Sequence, residues 1–161
     1  MNFIENKKAG FGYELQERFE AGIELVGTEV KSIRNRRGNL AGSYISIRGG
    51  EVFLIGAEIP PYQPNNLIGL KKENQTKIGL SKTYDPKRNR KLLLEKREIL
   101  KLTNLEKQKG LTLIPISMYN KGRNIKLEFA IGKGKNKKDK RETIKRRESD
   151  REIHRTLKKR R

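Results

Sequence analysis

The sequence predicts a mainly β protein with helices: a small antiparallel OB-like β-barrel of about six strands, two or three helices and a basic C-terminal tail. Three observations support this fold class. Apolar and polar residues alternate along several short segments, glycine-containing turns join two pairs of these segments, and the last 30 residues lose the alternation and become strongly basic. Six short strands in ~120 residues close most naturally into a small barrel. We therefore expect a barrel domain over residues 1–131 and a tail over residues 132–161.

The first long strand is predicted from Tyr13, because apolar and polar residues alternate from there to Leu25. A short helix is expected next. Thr28 is its candidate N-cap, and Val30 and Ile33 would face the core at a spacing of three residues.

Two hairpins are predicted from their turns. The segments 43–48 and 51–57 flank Gly49-Gly50, and the segments 111–118 and 125–131 flank Asn120-Lys121-Gly122. Both pairs alternate in hydropathy, which favours strands with one buried face.

The longest helix is predicted over Leu92–Gln108, where leucine and isoleucine recur at helical spacing and Gly110 is a natural stop. The segment 63–83 is rich in Asn, Lys and Gly, so we expect a long mobile loop there.

The charge is strongly unbalanced. The 161 residues carry 39 Lys or Arg and 19 Asp or Glu, a formal net charge of +20. Residues 132–161 alone hold 15 basic and 5 acidic residues, a net of +10, with few apolar residues to hold them on the body. We expect this tail to be disordered when free and helical on a polyanion such as the ribosome.

The composition argues against catalysis and against membrane insertion. There is no cysteine and only one histidine, His154, which lies in the tail. Acid–base catalysis at neutral pH and zinc sites usually need such residues, so we expect no enzyme activity, no metal and no cofactor. No apolar run approaches the ~20 residues that span a bilayer, so we expect no membrane association and a cytoplasmic location. Nucleic acid remains the leading partner.

Several short motifs occur in a fixed order along nearly the whole chain. They are the segments Asn6-Lys7-Lys8-Ala9, Ala21-Gly22, Gly27–Arg34, Asn39-Leu40, Tyr84-Asp85-Pro86, Arg90–Leu94, Lys96-Arg97-Glu98-Ile99, Gly134-Lys135 and Asp139-Lys140-Arg141-Glu142. In this order and spacing they resemble the SsrA-binding protein (small protein B) family of bacteria.

The resemblance implies an RNA-binding protein with an OB-like barrel. Such a protein binds the tRNA-like domain of transfer-messenger RNA and delivers it to stalled ribosomes for trans-translation. Its tail is thought to enter the decoding site and the empty message channel. Elongation factor Tu and alanyl-charged transfer-messenger RNA are possible companions by the same resemblance, and we expect a monomer.

The resemblance also assigns residues. Those expected to bind RNA are Asn6, Glu29, Lys31, Arg34, Arg90, Lys91, Lys133 and Lys135. Those of the tail expected at the decoding site are Lys138, Asp139, Lys140, Arg141, Ile144 and Lys145.

Two of these assignments leave alternatives open. Glu29 could accept hydrogen bonds from a base or a ribose hydroxyl, or it could simply stabilise a helix N-terminus. Lys138 stands where the family often has an aromatic residue or histidine, which puts base stacking in doubt and favours a phosphate contact.

Two other functions remain open at this stage. A structural basic OB-like ribosomal or general RNA-binding protein would have a similar composition and would accompany all ribosomes rather than a stalled subset. A carboxylate-based nuclease would cleave RNA in a metal-dependent way.

Overall fold

Seven strands form one antiparallel sheet that closes on itself. The computed structural model describes residues 2–62 and 84–135 and, in the tail, residues 142, 144–146, 148–153 and 155. The strands are β1 (Asn2–Glu5), β2 (Tyr13–Ile23), β3 (Tyr44–Arg48), β4 (Glu51–Ile55), β5 (Arg90–Leu93), β6 (Leu111–Lys121) and β7 (Asn124–Gly134). Their order is β1-β6-β3-β4-β5-β2-β7, and β7 also pairs with β6. That second pairing closes six strands into a barrel, with β1 beside β6.

The prediction of a small antiparallel OB-like barrel is confirmed. Both hairpins form as expected: β3 pairs with β4 from Tyr44↔Ile55 to Arg48↔Glu51, and β6 pairs with β7 from Leu111↔Lys133 to Lys121↔Asn124. Gly49 and Gly50 both have positive φ, at 58° and 76°, which suits the tight turn between β3 and β4.

Within residues 2–62 and 84–135, three helices accompany the barrel: α1 (Ala9–Gly12), α2 (Gly27–Arg34) and α3 (Lys96–Glu106). Ile33 of α2 and Leu102 of α3 are fully buried, and each helix therefore packs an apolar side against the core. The largest buried apolar side chains also include Leu54, Leu127 and Phe129, which lie on the strands that form the barrel wall.

The predicted helix over Leu92–Gln108 is wrong in its first residues. Leu92 and Leu93 belong to β5, which pairs with β4 through Val52↔Leu92 and with β2 through Gly22↔Leu93. Three consecutive leucines satisfy helical and extended spacing equally well, and these long-range pairings decide in favour of the strand.

Three boundaries also differ from the sequence prediction. Thr28 is not the cap of α2, which begins at Gly27; its Oγ1 has no hydrogen-bond partner among the described residues. Strand β1 was not predicted, because four residues are too few for a clear alternation. Strand β7 continues to Gly134, three residues beyond the expected end of the barrel domain.

The tail has helical backbone at residues 142, 144–146, 148–153 and 155. This agrees with its helical propensity, while the expected transition from a disordered free state stays a prediction. The expected loop over residues 63–83 lies outside the described residues.

Candidate nucleic-acid interface

A fully buried carboxylate organises the segment that precedes β5. Glu29 is 0% exposed, and its Oε2 accepts a hydrogen bond of 2.9 Å from the Val26 backbone N–H at the start of α2. Arg88 donates to both carboxylate oxygens, from Nε at 2.9 Å and from Nη2 at 2.6 Å. Arg90 donates to Oε1 from Nε at 3.0 Å. Of the two alternatives for Glu29, the structure shows the contact at the N-terminus of a helix. It also shows two guanidinium partners.

These partners fix the protonation state of Glu29. Burial alone would raise the pKa of this carboxyl group. The hydrogen bonds from Arg88 and from the Val26 N–H, with the charges of the two arginines, outweigh burial and hold the pKa of Glu29 below its usual value. The carboxylate is therefore ionised at neutral pH. Because it has no exposed surface, the predicted direct contact between Glu29 and RNA has no accessible atom in this structure.

Arg90 is equally inaccessible. Its side chain is 0% exposed, and besides Glu29 it donates to the backbone carbonyls of Ala57 at 2.8 Å, Arg88 at 3.0 Å and Pro86 at 2.9 Å. All three of its guanidinium nitrogens donate inside the protein and none is exposed, so the predicted RNA contact of Arg90 has no accessible atom in this structure. The guanidinium instead satisfies carbonyls of the irregular backbone before β5 and after β4.

Tyr84 completes this cluster. Its Oη lies 2.7 Å from the Ile59 carbonyl oxygen and 3.1 Å from Glu29 Oε1, and its one proton can serve only one of them at a time. Burial, together with the charge of Glu29, raises the pKa of Tyr84 to about 12. The phenol is therefore a neutral donor at neutral pH. Below, the group Glu29, Tyr84, Arg88 and Arg90 is called the Glu29 cluster.

The other predicted RNA-binding residues have mixed surroundings. Asn6 is buried and donates from Nδ2 to the carbonyls of Leu40 and Pro115, which joins the end of β1 to β6. Lys91 forms an ion pair with Glu51. Asn6 therefore has a role within the barrel, whereas the Lys91 side chain is 39% exposed and its RNA contact stays a prediction.

Four predicted residues remain accessible or lie near the tail. Lys31 and Arg34 are exposed on α2, with Lys31 Nζ 6.0 Å from the centre of the Tyr62 ring. Lys133 is exposed near the end of β7. Lys135 is partly buried where the tail leaves the barrel; it donates from Nζ to the Gly10 carbonyl at 2.9 Å.

The predicted decoding-site residues are only partly described. Ile144 and Lys145 have helical backbone and exposed side chains, so an apolar and a basic group are accessible there. Lys138, Asp139, Lys140 and Arg141 lie outside the described residues.

An apolar cleft with a basic rim, which the sequence did not predict, lies where β2 meets β5. Leu93 is 56% exposed, and Gly22 opposite it on β2 leaves room for that side chain, since a Cβ at Gly22 would lie 3.2 Å from the Leu93 Cβ. The cleft has a volume of about 340 Å³. Leu25, Val30 and Leu93 line its apolar side, and Arg123 and Lys126 line the side formed by the β6–β7 turn and the start of β7.

Basic groups surround this Leu93 cleft. Arg123 and Lys126 line it directly. Arg34 lies beside the same turn, with Nη2 3.4 Å from the Arg123 carbonyl oxygen. An apolar floor with cations at its edge fits a nucleotide, because the base or ribose can cover the apolar surface while phosphates meet the cations. Had β5 been identified from sequence as a strand, the outward-facing Leu93 would have been the signal for this site.

A larger groove on the neighbouring face is less suited to a polyanion. It has a volume of about 370 Å³ and is lined by Arg18, Glu20, Tyr119 and Glu128 among others. Arg18 pairs with Glu128 at 3.0 Å, and Lys121 pairs with Glu20 at 2.8 Å. Its acidic and basic groups neutralise one another, whereas no carboxylate of the part of the chain that the structure describes lines the Leu93 cleft.

Two findings concern other kinds of site. Across residues 2–62, 84–135 and the described part of the tail, no group of three or more His, Asp or Glu side chains could hold a metal ion. In the same residues, no helix is both long enough and apolar enough to cross a membrane.

Comparisons with known proteins give one family. A sequence model of the family described as "SmpB protein" matches residues 3–159. The SsrA-binding protein of Prochlorococcus marinus strain MIT 9515 is 48% identical over 154 residues, which cover 96% of this chain and 86% of the relative. The SsrA-binding protein of Clostridium tetani is 46% identical, with 96% and 90% covered. A solved structure described as "tmRNA-SmpB: a journey to the center of the bacterial ribosome" matches with a TM-score of 0.62 and 37% identity, and the match covers 87% of this chain and 92% of that one.

Proposed function

This chain belongs to the SmpB protein family, and on that premise we propose that it binds the tRNA-like domain of transfer-messenger RNA and delivers it to stalled ribosomes for trans-translation. Its relatives carry the name SsrA-binding protein, and the similar solved structure concerns tmRNA, SmpB and the bacterial ribosome. RNA and ribosome are therefore its partners. A cytoplasmic location follows from action on the ribosome and is part of this proposal.

The observation that carries the RNA-binding part is the Leu93 cleft. Leu93 is an exposed leucine on the wall of a closed barrel, and Arg34, Arg123 and Lys126 lie at or beside the cleft. Folded RNA offers riboses and bases for the apolar surface and phosphates for the three cations. Lys31 lies on the same helix as Arg34 and extends the basic surface.

The tail has a separate role in this proposal. It carries a net charge of +10 in 30 residues, and β7 delivers it from the barrel at Gly134. Lys138, Asp139, Lys140 and Arg141, with Ile144 and Lys145, act on ribosomal RNA at the decoding site and in the empty message channel. Lys133 and Lys135 lie at the base of the tail and contact RNA near the barrel.

Catalysis has no part in the proposed function. The protein binds and positions RNA, and the chemistry of trans-translation belongs to its partners. Elongation factor Tu is proposed as a companion, and the protein is proposed to act as a monomer.

The test is competition binding with purified full-length chain at ~0.2 M salt, where nonspecific phosphate affinity is much reduced. The tRNA-like RNA is expected to win clearly over plain tRNA and duplex DNA. If all three polyanions bind alike and affinity simply decays with salt, charge alone explains the binding and the proposal fails. A general ribosomal protein would instead co-purify with all ribosomes.

A matched pair of leucine variants tests the interface itself. Leu93 is 56% exposed, so covering it with RNA should contribute about half of a leucine's burial energy, ~1 kcal/mol or about fivefold in affinity. Leu93→Ala is expected to lose that amount. Leu100 on α3 is 69% exposed and away from the cleft, so Leu100→Ala should bind as wild type does. Equal behaviour of the two variants would rule out the Leu93 cleft as the interface.

A further inference from the structure

We propose that Arg88 forms a phosphate-binding site at the surface of the barrel and that the buried carboxylate of Glu29 is the residue that positions it. This inference rests on the proposed function, since the phosphate belongs to the bound RNA. Arg88 is not one of the RNA-binding residues assigned above, although it lies in the same basic segment as Arg90 and Lys91. Its side chain is 34% exposed, while those of Glu29 and Arg90 are 0% exposed, so Arg88 is the ionised member of the Glu29 cluster that solvent reaches.

The guanidinium of Arg88 is held in one orientation. Nε and Nη2 donate in parallel to the two oxygens of Glu29, at 2.9 and 2.6 Å. Such two-pronged pairs fix the plane of the guanidinium as well as its position. Glu29 is itself fixed by the Val26 N–H, and Arg90 holds it from the interior.

The opposite edge of the same guanidinium, formed by Nη1 and Nη2, makes only long hydrogen bonds. An arginine has five N–H donors. Beyond the two bonds to Glu29, Arg88 donates from Nη1 to the Asn89 carbonyl and from Nη2 to the Glu24 carbonyl, both at 3.4 Å. These distances are well beyond the usual ~2.9–3.0 Å, so the donors are only weakly engaged. Arginine can bind phosphate with two parallel hydrogen bonds from its Nη1–Nη2 edge. This is the edge of Arg88 that does not face Glu29.

The ionised groups around Glu29 do not balance in charge. Two guanidinium groups share one buried carboxylate, so Glu29, Arg88 and Arg90 together carry one positive charge in excess. The exposed carboxylate of Glu24 also interacts electrostatically with Arg88, but it lies in solvent, where screening weakens the interaction. A phosphate on Arg88 would neutralise the excess directly.

Arg88 also lies next to the Leu93 cleft. The Glu24 carbonyl, which Arg88 reaches, lies between Ile23 and Leu25, and both of these line the Leu93 cleft. Arg88 is therefore beside the α2–β2 wall of the cleft, while Arg123 and Lys126 are on its other wall. An RNA strand across the cleft would meet cations on both sides. A guanidinium that is already ordered also loses less side-chain entropy when the phosphate binds.

The experiment measures affinity of the full chain for the tRNA-like RNA at several salt concentrations. Arg88→Ala is expected to lower affinity about tenfold and to reduce the slope of log K against log salt by about 0.7–0.9, the value for one lost phosphate contact. Arg48→Ala, at the exposed turn between β3 and β4, removes the same charge and is the control. If Arg88→Ala behaves as Arg48→Ala does, Arg88 does not bind phosphate.

A second variant tests the positioning role while Glu29 itself stays in place. Arg88→Lys keeps the charge but cannot form two parallel bonds to Glu29. We expect its affinity to fall close to that of Arg88→Ala; wild-type affinity would overturn the role of Glu29. The wild-type protein distinguishes failure of the Arg88 proposal from failure of the proposed function. If the proposed function is wrong, wild-type protein shows no preference for the tRNA-like RNA.

Discussion

Replacing Glu29 with alanine should strongly destabilise the fold. It should remove no direct RNA contact, because the carboxylate is buried. The substitution leaves Arg90, which is 0% exposed, without its carboxylate partner, and it removes the acceptor of Arg88 and of the Val26 N–H. Breaking a buried ion pair by removing one partner costs about 3–5 kcal/mol. For a body of this size, that cost corresponds to a fall in melting temperature of about 6–20 °C.

Urea denaturation followed by circular dichroism measures this loss, with the linear extrapolation giving the free energy of unfolding. Glu58→Ala is the control, because Glu58 is an exposed glutamate whose loss should change stability by no more than ~0.5 kcal/mol. If Glu29→Ala unfolds with the same free energy as Glu58→Ala, the Glu29 cluster does not hold the segment before β5, and the positioning role falls with it.

The dependence of this effect on pH has a definite sign. Because the pKa of Glu29 is lower in the folded protein than its usual 4.5, the ionised carboxylate stabilises the fold above that value. The contribution is lost as pH falls through the lower, folded pKa. The difference in unfolding free energy between wild type and Glu29→Gln should therefore be constant at neutral pH and shrink in acid. A difference that grows in acid would contradict the depressed pKa.

Three further predictions address the core, the tyrosines and the tail. Phe129 is fully buried and stacks on Phe19 with ring centres 5.5 Å apart, so Phe129→Ala should lose about 3–5 kcal/mol in urea denaturation, whereas a loss below 1 kcal/mol would contradict the packing. Tyr84 and Tyr119 both have a pKa raised to about 12, so an absorbance titration should show two tyrosines that ionise only near pH 12, and Tyr84→Phe and Tyr119→Phe should each abolish one of these two ionisations. Because their pKa values are higher in the folded protein, stability should fall between pH 10 and 12. Deleting the chain after Lys135 should spare specific binding of the tRNA-like RNA while abolishing tagging on stalled ribosomes; a large loss of RNA specificity would assign the tail a role in recognition.

The hairpins could be predicted from sequence because their signal is local. Alternation of apolar and polar residues sets which face is buried, and paired glycines at Gly49 and Gly50 allow the positive φ that the turn needs. These features act within a few residues, and both β-hairpins occur where they predict.

Leu92 and Leu93 show where local information ends. Their spacing fits either element, and the strand is selected by pairing with Val52 on β4 and Gly22 on β2, about 40 and 70 residues away in sequence. The same pairing turns Leu93 outward and so creates the cleft. The error in secondary structure and the missed site therefore have a common cause.

The residues of the Glu29 cluster show a second limit. Resemblance to a family marks Glu29 and Arg90 as important but does not say whether a side chain contacts the ligand or supports a neighbour. Burial separates the two roles: Glu29 and Arg90 are inside, and Arg88, two residues before Arg90, reaches the surface. Alternation along an extended segment places residues 88 and 90 on the same side, so the sequence alone does not distinguish them.

Lysine substitutions at these two arginines would separate scaffold from contact. Arg90 donates to Glu29 and to the carbonyls of Ala57, Pro86 and Arg88, and a lysine, with one compact ammonium, cannot reach all four acceptors. Leaving buried carbonyls unpaired costs about 1–3 kcal/mol each, so Arg90→Lys should lower the free energy of unfolding by at least ~2 kcal/mol.

Arg88→Lys should behave in the opposite way. Its guanidinium is partly solvated and its two carbonyl contacts are long, so the loss of stability should stay near ~1 kcal/mol while RNA affinity falls. Urea denaturation and RNA titration of the same two preparations give both quantities. If Arg88→Lys loses as much stability as Arg90→Lys, then Arg88 is part of the scaffold, and the exposed edge of its guanidinium is not held in place for phosphate.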